Sequence, residues 1–263
     1  MTSTRSLRWH CHPLPDDMPP DAVAGGVAII IDVLRASTTI ITALAEGAAF
    51  VLPAAEVAIA RRFRQSLPAD TLLGGERGGI PLADFDLGNS PAEYDRARVA
   101  GRGIVITTTN GTAALARCDA ASDVLIGGLV NRTAVAAAAL RLAGEAGDVH
   151  LVCAGTDGCV TEEDLLGAGA ILDAAGAVGP VAELQVDECG EAALASFRRL
   201  TGAGVDAMAN LVEAFSRAPG GANLVELGMA TDLALAAAVD QFDLVPRLCE
   251  RSGRLLPDDG RAT

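Results

Sequence analysis

Ile29-Ile30-Ile31-Asp32-Val33-Leu34-Arg35-Ala36-Ser37-Thr38-Thr39 is the stretch from which the rest of the chain is read. With Val27 and Ala28 before it, the apolar run predicts a strand buried on both faces, as in a parallel sheet. Asp32 stands at its carboxyl end, and Arg35 and three hydroxyl residues follow. Ile40 to Glu46 reads as an amphipathic helix closed by Gly47. A carboxylate, a guanidinium and hydroxyls thus collect where a strand turns into a helix, the edge at which open α/β sheets bind ligands. A helix start suits an anion, and Arg35 adds a planar donor fork for phosphate or carboxylate. Asp32 cannot bind an anion, so beside such a cradle it would hold a hard cation or handle a proton. The plainer alternative is an Asp32–Arg35 ion pair with Ser37 capping the helix.

The pattern recurs outward from this stretch. Strands are predicted at 49–52, 71–73, 103–107, 122–126 and 148–153, each followed by a loop or helix. After residue 176 the pattern turns mostly helical (188–200, 205–216, 231–239), with a short strand at 242–245. Residues 1–24 read as a Pro-rich arm with one edge strand near 7–10. Residues 25–250 form the α/β unit, compatible with two lobes meeting near 118–150, and 251–263 read as a loose tail. The fold class is α/β, three-layer α/β/α with a largely parallel sheet.

Composition removes several function classes. The 263 residues contain no lysine, which excludes a Schiff-base lysine, a pyridoxal phosphate enzyme and a standard P-loop. A net charge of −14 argues against nucleic acid as a partner, and no apolar run approaches a membrane span. Aromatic residues make up only 3%, so the core must be aliphatic. The six cysteines show no C-x-x-C spacing and read as reduced thiols of a cytoplasmic protein. Cys11 lies between His10 and His12, but without a matching distal pair this tract reads as part of a mobile arm.

Three more strand ends carry polar clusters. Gly74-Gly75-Glu76-Arg77-Gly78-Gly79 reads as a loop in which Glu76 is a second carboxylate for Mg²⁺ and Arg77 a second anion clamp. Thr107 to Thr112, with Asn110-Gly111 before a helix, supplies neutral donors for phosphate oxygens. Gly155 to Asp164 carries Glu163 and Asp164 in a first helical turn, where the helix dipole alone explains acids. Ser90 before Pro91 reads as an N-cap, and Asn89 beside it is a weaker substrate contact. Strand ends of a parallel sheet share one edge, so these clusters can converge on one pocket.

The combination resembles the 2-phosphosulfolactate phosphatase (ComB-like) family. The resemblance rests on I-D-V-L-R-A-S-T-T-I at 31–40, G-G-E-R-G-G at 74–79, F-D-L-G-N-S-P-A-E-Y at 85–94, I-T-T-T-N-G-T at 106–112, V-C-A-G-T-D-G at 152–158 and E-D-L-L-G-A-G-A-I at 163–171. Ala-Pro-Gly-Gly-Ala-Asn at 218–223 departs from the family pattern, where a shorter turn is expected before Leu224. The resemblance implies a Mg²⁺-dependent phosphatase that converts 2-phosphosulfolactate to sulfolactate, or acts on another phosphorylated hydroxy acid. Asp32, Arg35 and Glu76 would be catalytic, with Mg²⁺ on Asp32 and Glu76. The substrate would meet Arg35, Arg77, Asn89, Thr108, Thr109, Asn110 and Gly111. A non-catalytic anion-binding module is the competing reading, and the Ala-rich helices are compatible with a homodimer.

Overall fold

The structure is a computed structural model that describes residues 7–19, 21–144, 147–178 and 184–260. The chain begins with β1 (Arg8–His12), β2 (Val27–Ile31), α1 (Ala36–Ala45), β3 (Phe50–Pro53) and α2 (Val57–Ser66). It continues through β4 (Leu72–Arg77), β5 (Ile80–Pro81), α3 (Arg96–Val99), β6 (Gly103–Thr107), α4 (Gly111–Ala116), β7 (Asp123–Gly127) and α5 (Arg132–Ala143). Then come β8 (Asp148–Cys153), α6 (Glu162–Val178), β9 (Gln185–Val186), α7 (Glu188–Thr201), α8 (Ala207–Arg217), α9 (Pro219–Glu226), α10 (Thr231–Ala236), β10 (Pro246–Cys249) and β11 (Arg254–Pro257).

Among the described residues the strands form one eleven-stranded sheet in the order β5-β4-β6-β3-β11-β10-β7-β2-β8-β1-β9. Two blocks are parallel within themselves, β4-β6-β3 and β7-β2-β8-β1-β9. The β10–β11 hairpin joins them by antiparallel pairing on both sides. Followed through these pairings, the two blocks run in opposite senses. A flat sheet would put their carboxyl ends at opposite edges. Five strand-to-strand steps separate β6 from β2. A twist of roughly 20–25° per step turns the blocks through roughly 100–125°. Twist and antiparallel sense together bring the carboxyl ends of β2, β4, β6 and β8 toward one another.

The core follows from that curl. Along β2, Ile29 and Ile31 face a cluster built with β8, β1, α5, α6 and α7. Ala28 and Ile30 face a second cluster that also takes Ile104 and Ile106 of β6, Val51 of β3 and Leu72 of β4. This alternation is the period-two geometry of a strand buried on both faces. Helix α1 sits inside the second cluster, between the blocks, and all its residues but Thr42 and Ala45 are buried. It is therefore enclosed and not amphipathic, and it starts at Ala36 rather than Ile40. Each of its buried Ile and Leu side chains contributes about 1.5–3 kcal/mol.

Three expectations about the chain's ends and loops need correction. The tail after Arg251 is not loose: β11 lies between β3 and β10, with Leu255 fully buried. Its polar flanks hide one short apolar pair in mid-sheet. The arm is not mobile over β1, which pairs with both β8 and β9, and Met18 and Val23 enter the core. The 74–79 stretch is not a loop up to Arg77, because Gly74 and Gly75 continue β4 alongside Ile106 and Thr107. No side chain would fit at Gly75, where a Cβ would stand 2.2 Å from the Thr107 carbonyl oxygen.

Candidate active site

Asp32 leaves β2 at the mouth of the curl. Its Oδ1 accepts the Ala36 N–H at 3.1 Å, and its own N–H donates to Ser37 Oγ at 2.9 Å. The residue caps α1 with its side chain, and Ser37 instead closes the turn by donating to the Ile30 carbonyl. Asp32 Oδ2 accepts no hydrogen bond among the described residues; a Cβ at Gly111 would lie 2.8 Å from it. From the first turn of α6, Asp164 accepts the Val33 N–H at 2.8 Å and the Gly155 N–H at 2.9 Å, lacing the ends of β2 and β8 together. Glu76, at the end of β4, accepts the Thr109 N–H and hydroxyl on Oε1 and the Gly79 N–H on Oε2 at 2.7 Å.

Arg35 does not pair with Asp32. It reaches Asp232 of α10 at 2.6 Å and donates to the Gly79 carbonyl at 2.9 Å, with 3% and 2% exposure for the two partners. Ser90 Oγ donates to the other Asp232 oxygen at 2.6 Å, so the serine supports this pair and makes no N-cap bond.

These elements enclose a cavity of about 370 Å³. Asp32, Arg35, Glu76, Asn89, Thr109 and Asn110 line it, together with Leu34, Thr156, Asp157, Pro219, Gly220, Asn223 and Leu224. The cavity is acidic at its root. Burial, followed by the charge of Asp164, raises the Asp32 carboxyl well above its usual range. Burial pushes Asp164 up to about 6, against the pull of its two N–H donors. Burial and the neighbouring Asp164 push Glu163 up to about 8, and its Oε2 has no partner.

No group of three or more His, Cys, Asp or Glu among the described residues is arranged as a cation cage. Mg²⁺ needs less: one or two carboxylates, with water and phosphate oxygens completing its shell. Asp32 Oδ2 is open, Glu76 keeps unused lone pairs, and the pocket's guanidinium is already neutralised. The donor set therefore fits that ion.

Residues 12–251 match the 2-phosphosulpholactate phosphatase family. The chain belongs to this family. A probable 2-phosphosulfolactate phosphatase of Deinococcus radiodurans is 42% identical over 233 residues, 88% of this chain and 91% of that one. One of Symbiobacterium thermophilum is 41% identical, covering 88% and 95%. One of Caldanaerobacter subterraneus subsp. tengcongensis is 36% identical, covering 84% and 86%. By this membership the chain is a phosphatase-type enzyme, and its fold class is the α/β one expected.

Within this family member, the structure gathers six of the sequence-predicted site residues on one cavity: Asp32, Arg35, Glu76, Asn89, Thr109 and Asn110. Three lie off it. Arg77 donates to Thr107 Oγ1 and to the Glu76 carbonyl, because neighbours on a strand face opposite sides of the sheet. Gly111 is pressed between Asp32 and Ala36, where its missing side chain matters more than its amide. Thr108 is buried behind it with an unpartnered hydroxyl. Sequence reasoning missed Asp232, Gly220 and Asn223, and held Thr156 and Asp157 only as unnamed members of the Gly155–Asp164 cluster. Asp232 lies in the first turn of α10, and its partner is 197 residues away, so nothing local marked it. The Gly220 turn had signalled itself as a departure from the family pattern, but it is helix α9 and not a short turn.

Proposed function

We propose that the protein hydrolyses the phosphate monoester of a small acidic hydroxy acid, with 2-phosphosulfolactate as first candidate, releasing sulfolactate and inorganic phosphate. In this reading Mg²⁺ is held by Asp32 and Glu76. The supporting observation is the charge balance of the cavity. Asp32 and Glu76 line it and Glu163 and Asp164 are buried close by, while Arg35 is paired with Asp232 and Arg77 faces away. A metal-free anion sensor has no use for such an excess of carboxyls. The bound ion would supply charge neutralisation and Lewis acidity toward a phosphoryl oxygen.

The chain's own groups do the rest. Arg35, held rigid by Asp232 and Gly79, presents its remaining donors to the phosphoryl group without reorganising. The side-chain amides of Asn89 and Asn110 and the Thr156 hydroxyl line the same space and orient its oxygens. Asp32 acts as a ligand rather than a nucleophile. One of its oxygens is tied to the Ala36 amide, and no lysine is available to assist a phospho-aspartate. The six cysteines are free, in keeping with a cytoplasmic enzyme.

The test is phosphate release from 2-phosphosulfolactate and a panel of phosphorylated hydroxy acids, with and without Mg²⁺. Turnover that a chelator abolishes is expected. Anion binding by calorimetry with no turnover on any ester would replace the reading with the sensor. The neutralised Arg35 favours a second reading, the same reaction on a substrate of lower charge, which the panel would reveal as a better kcat/KM elsewhere.

A further inference from the structure

The chain's three histidines meet on one face of the sheet, and none of them lines the cavity. His10 and His12 alternate along β1 with the buried Trp9 and Cys11, and His150 of β8 stands opposite His10 in the parallel register. The His150 ring centroid is 4.9 Å from that of His10 and 5.3 Å from that of His12. His12 Nε2 and His150 Nδ1 are 3.1 Å apart and share a hydrogen. His10 is turned from that contact, its Nε2 reaching Asp148 Oδ1 at 3.3 Å. Two ring nitrogens therefore converge, and no larger cage forms among the described residues. The His10-Cys11-His12 tract lacked a second ligand nearby in sequence; β8 brings one from 138 residues away.

The spacing of this pair is that of a metal chelate. Two nitrogens on a tetrahedral ion, each about 2.0–2.1 Å from it, stand roughly 3.3 Å apart. A tilt of the two rings converts the observed hydrogen bond into that geometry. The donating ring moves its hydrogen to its other nitrogen, so no proton is lost and both lone pairs face the ion. Burial favours the neutral rings that ligate metals, lowering His12 from its usual value and His150 to about 4. His150 is seated against β2 by a missing side chain, since a Cβ at Gly26 would stand 2.9 Å from its Cδ2 and Nε2. His12 is half-buried and the His10 side chain is 34% exposed, so an ion can reach the pair from solvent.

We propose that His12 and His150 form a two-imidazole site for a borderline divalent transition-metal ion such as Zn²⁺, clamping β1 to β8 apart from the Mg²⁺ of the cavity. Imidazole suits Zn, Cu and Ni, whereas Mg²⁺ keeps to oxygen ligands. Water completes the shell. Asp148, paired with Arg8, holds His10 beside the site without making it a ligand. The proposal does not depend on the phosphatase reading.

The test uses the chain without an affinity tag, stripped by a chelator and then supplied with excess Mg²⁺ to occupy the cavity carboxylates. Calorimetry with Zn²⁺ is expected to show one site per chain, which His12→Gln weakens at least tenfold and His10→Gln less than threefold. Electron paramagnetic resonance with Cu²⁺ should show hyperfine splitting from two imidazole nitrogens in wild type and from one in His12→Gln. Zn²⁺ should raise the Tm of wild type and leave that of His12→Gln unchanged. His12→Cys, which restores a zinc ligand, should bind Zn²⁺ more tightly than His12→Gln, so that a loss through misfolding is told apart from loss of a ligand. Undiminished Zn²⁺ binding by His12→Gln, no binding by wild type, or a Cu²⁺ signal without nitrogen splitting overturns the site. A loss in His10→Gln as large as in His12→Gln overturns the assignment of the pair.

Discussion

Replacing Asp232 by Ala would leave the Arg35 guanidinium buried without its counter-charge. The pair is 2.6 Å long and 3% and 2% exposed, so water cannot take over the role of the lost carboxylate. Removing one member of such a pair costs about 3–5 kcal/mol. The Ser90 hydroxyl loses its acceptor as well, for about 1 kcal/mol more. A loss of about 4 kcal/mol is a large share of the 5–15 kcal/mol that holds a typical domain together. With a urea slope of about 3 kcal/mol per molar, the unfolding midpoint should fall by about 1.3 M. Removing both charges tests the origin of the loss, because an apolar pair of similar volume avoids the uncompensated ion. The double variant Arg35→Met, Asp232→Leu should therefore recover at least about 2 kcal/mol relative to Asp232→Ala, although it is inactive. A single variant within about 1 kcal/mol of wild type, or a double variant as unstable as the sum of its singles, would refute the reasoning.

Other outcomes follow from the same geometry. Glu163 and Asp164 are raised by burial to about 8 and about 6, so the folded chain binds more protons than the unfolded one above their ordinary values. Their contribution is complete below the unfolded values and is lost as pH rises through about 6 and then about 8. Without divalent cations, Tm should drop between about pH 5 and pH 8.5, and Glu163→Gln should flatten the upper part; a flat wild-type profile contradicts this. Mg²⁺ should raise the Tm of wild type; Asp32→Asn should lower kcat at least about 100-fold and abolish that rise, so wild-type kcat or an undiminished rise in the variant would remove Asp32 from the metal site. Truncation after Arg251 deletes β11 and unpairs β3 and β10 at the centre of the sheet. The product should be insoluble or rapidly proteolysed, and a soluble, protease-resistant fragment would contradict the topology.

Much of the fold was legible because its signals are local. The Ile29–Ile31 run is apolar on both faces, and the strands at 103–107 and 148–153 fall where the same pattern places them. Asp32, Glu76, Thr109 and Asn110 were legible as site candidates because each follows or ends such a strand. The argument that a parallel sheet gathers them on one edge was too simple. The hairpin of β10 and β11 reverses one block against the other, and accumulated twist brings their ends together. Only a short strand at 242–245 was expected there; β10 begins just after it, and β11 falls in the stretch read as a loose tail, each strand being four residues long. Arg77 was misplaced because reading Gly74–Gly79 as a loop hid the alternation of a strand.

By itself the sequence determined which segments must be buried, where strands give way to helices, and that any anion site had to be built without lysine. These follow from side-chain chemistry and from periods of two and 3.6 residues, which are local properties of the backbone. Tertiary structure alone decided that Arg35 is matched by Asp232, that Asp164 laces two strand ends, and that α9 opens its first turn onto the cavity. Those partners lie far apart along the chain, and only the curl of the sheet around α1 brings them within hydrogen-bond distance.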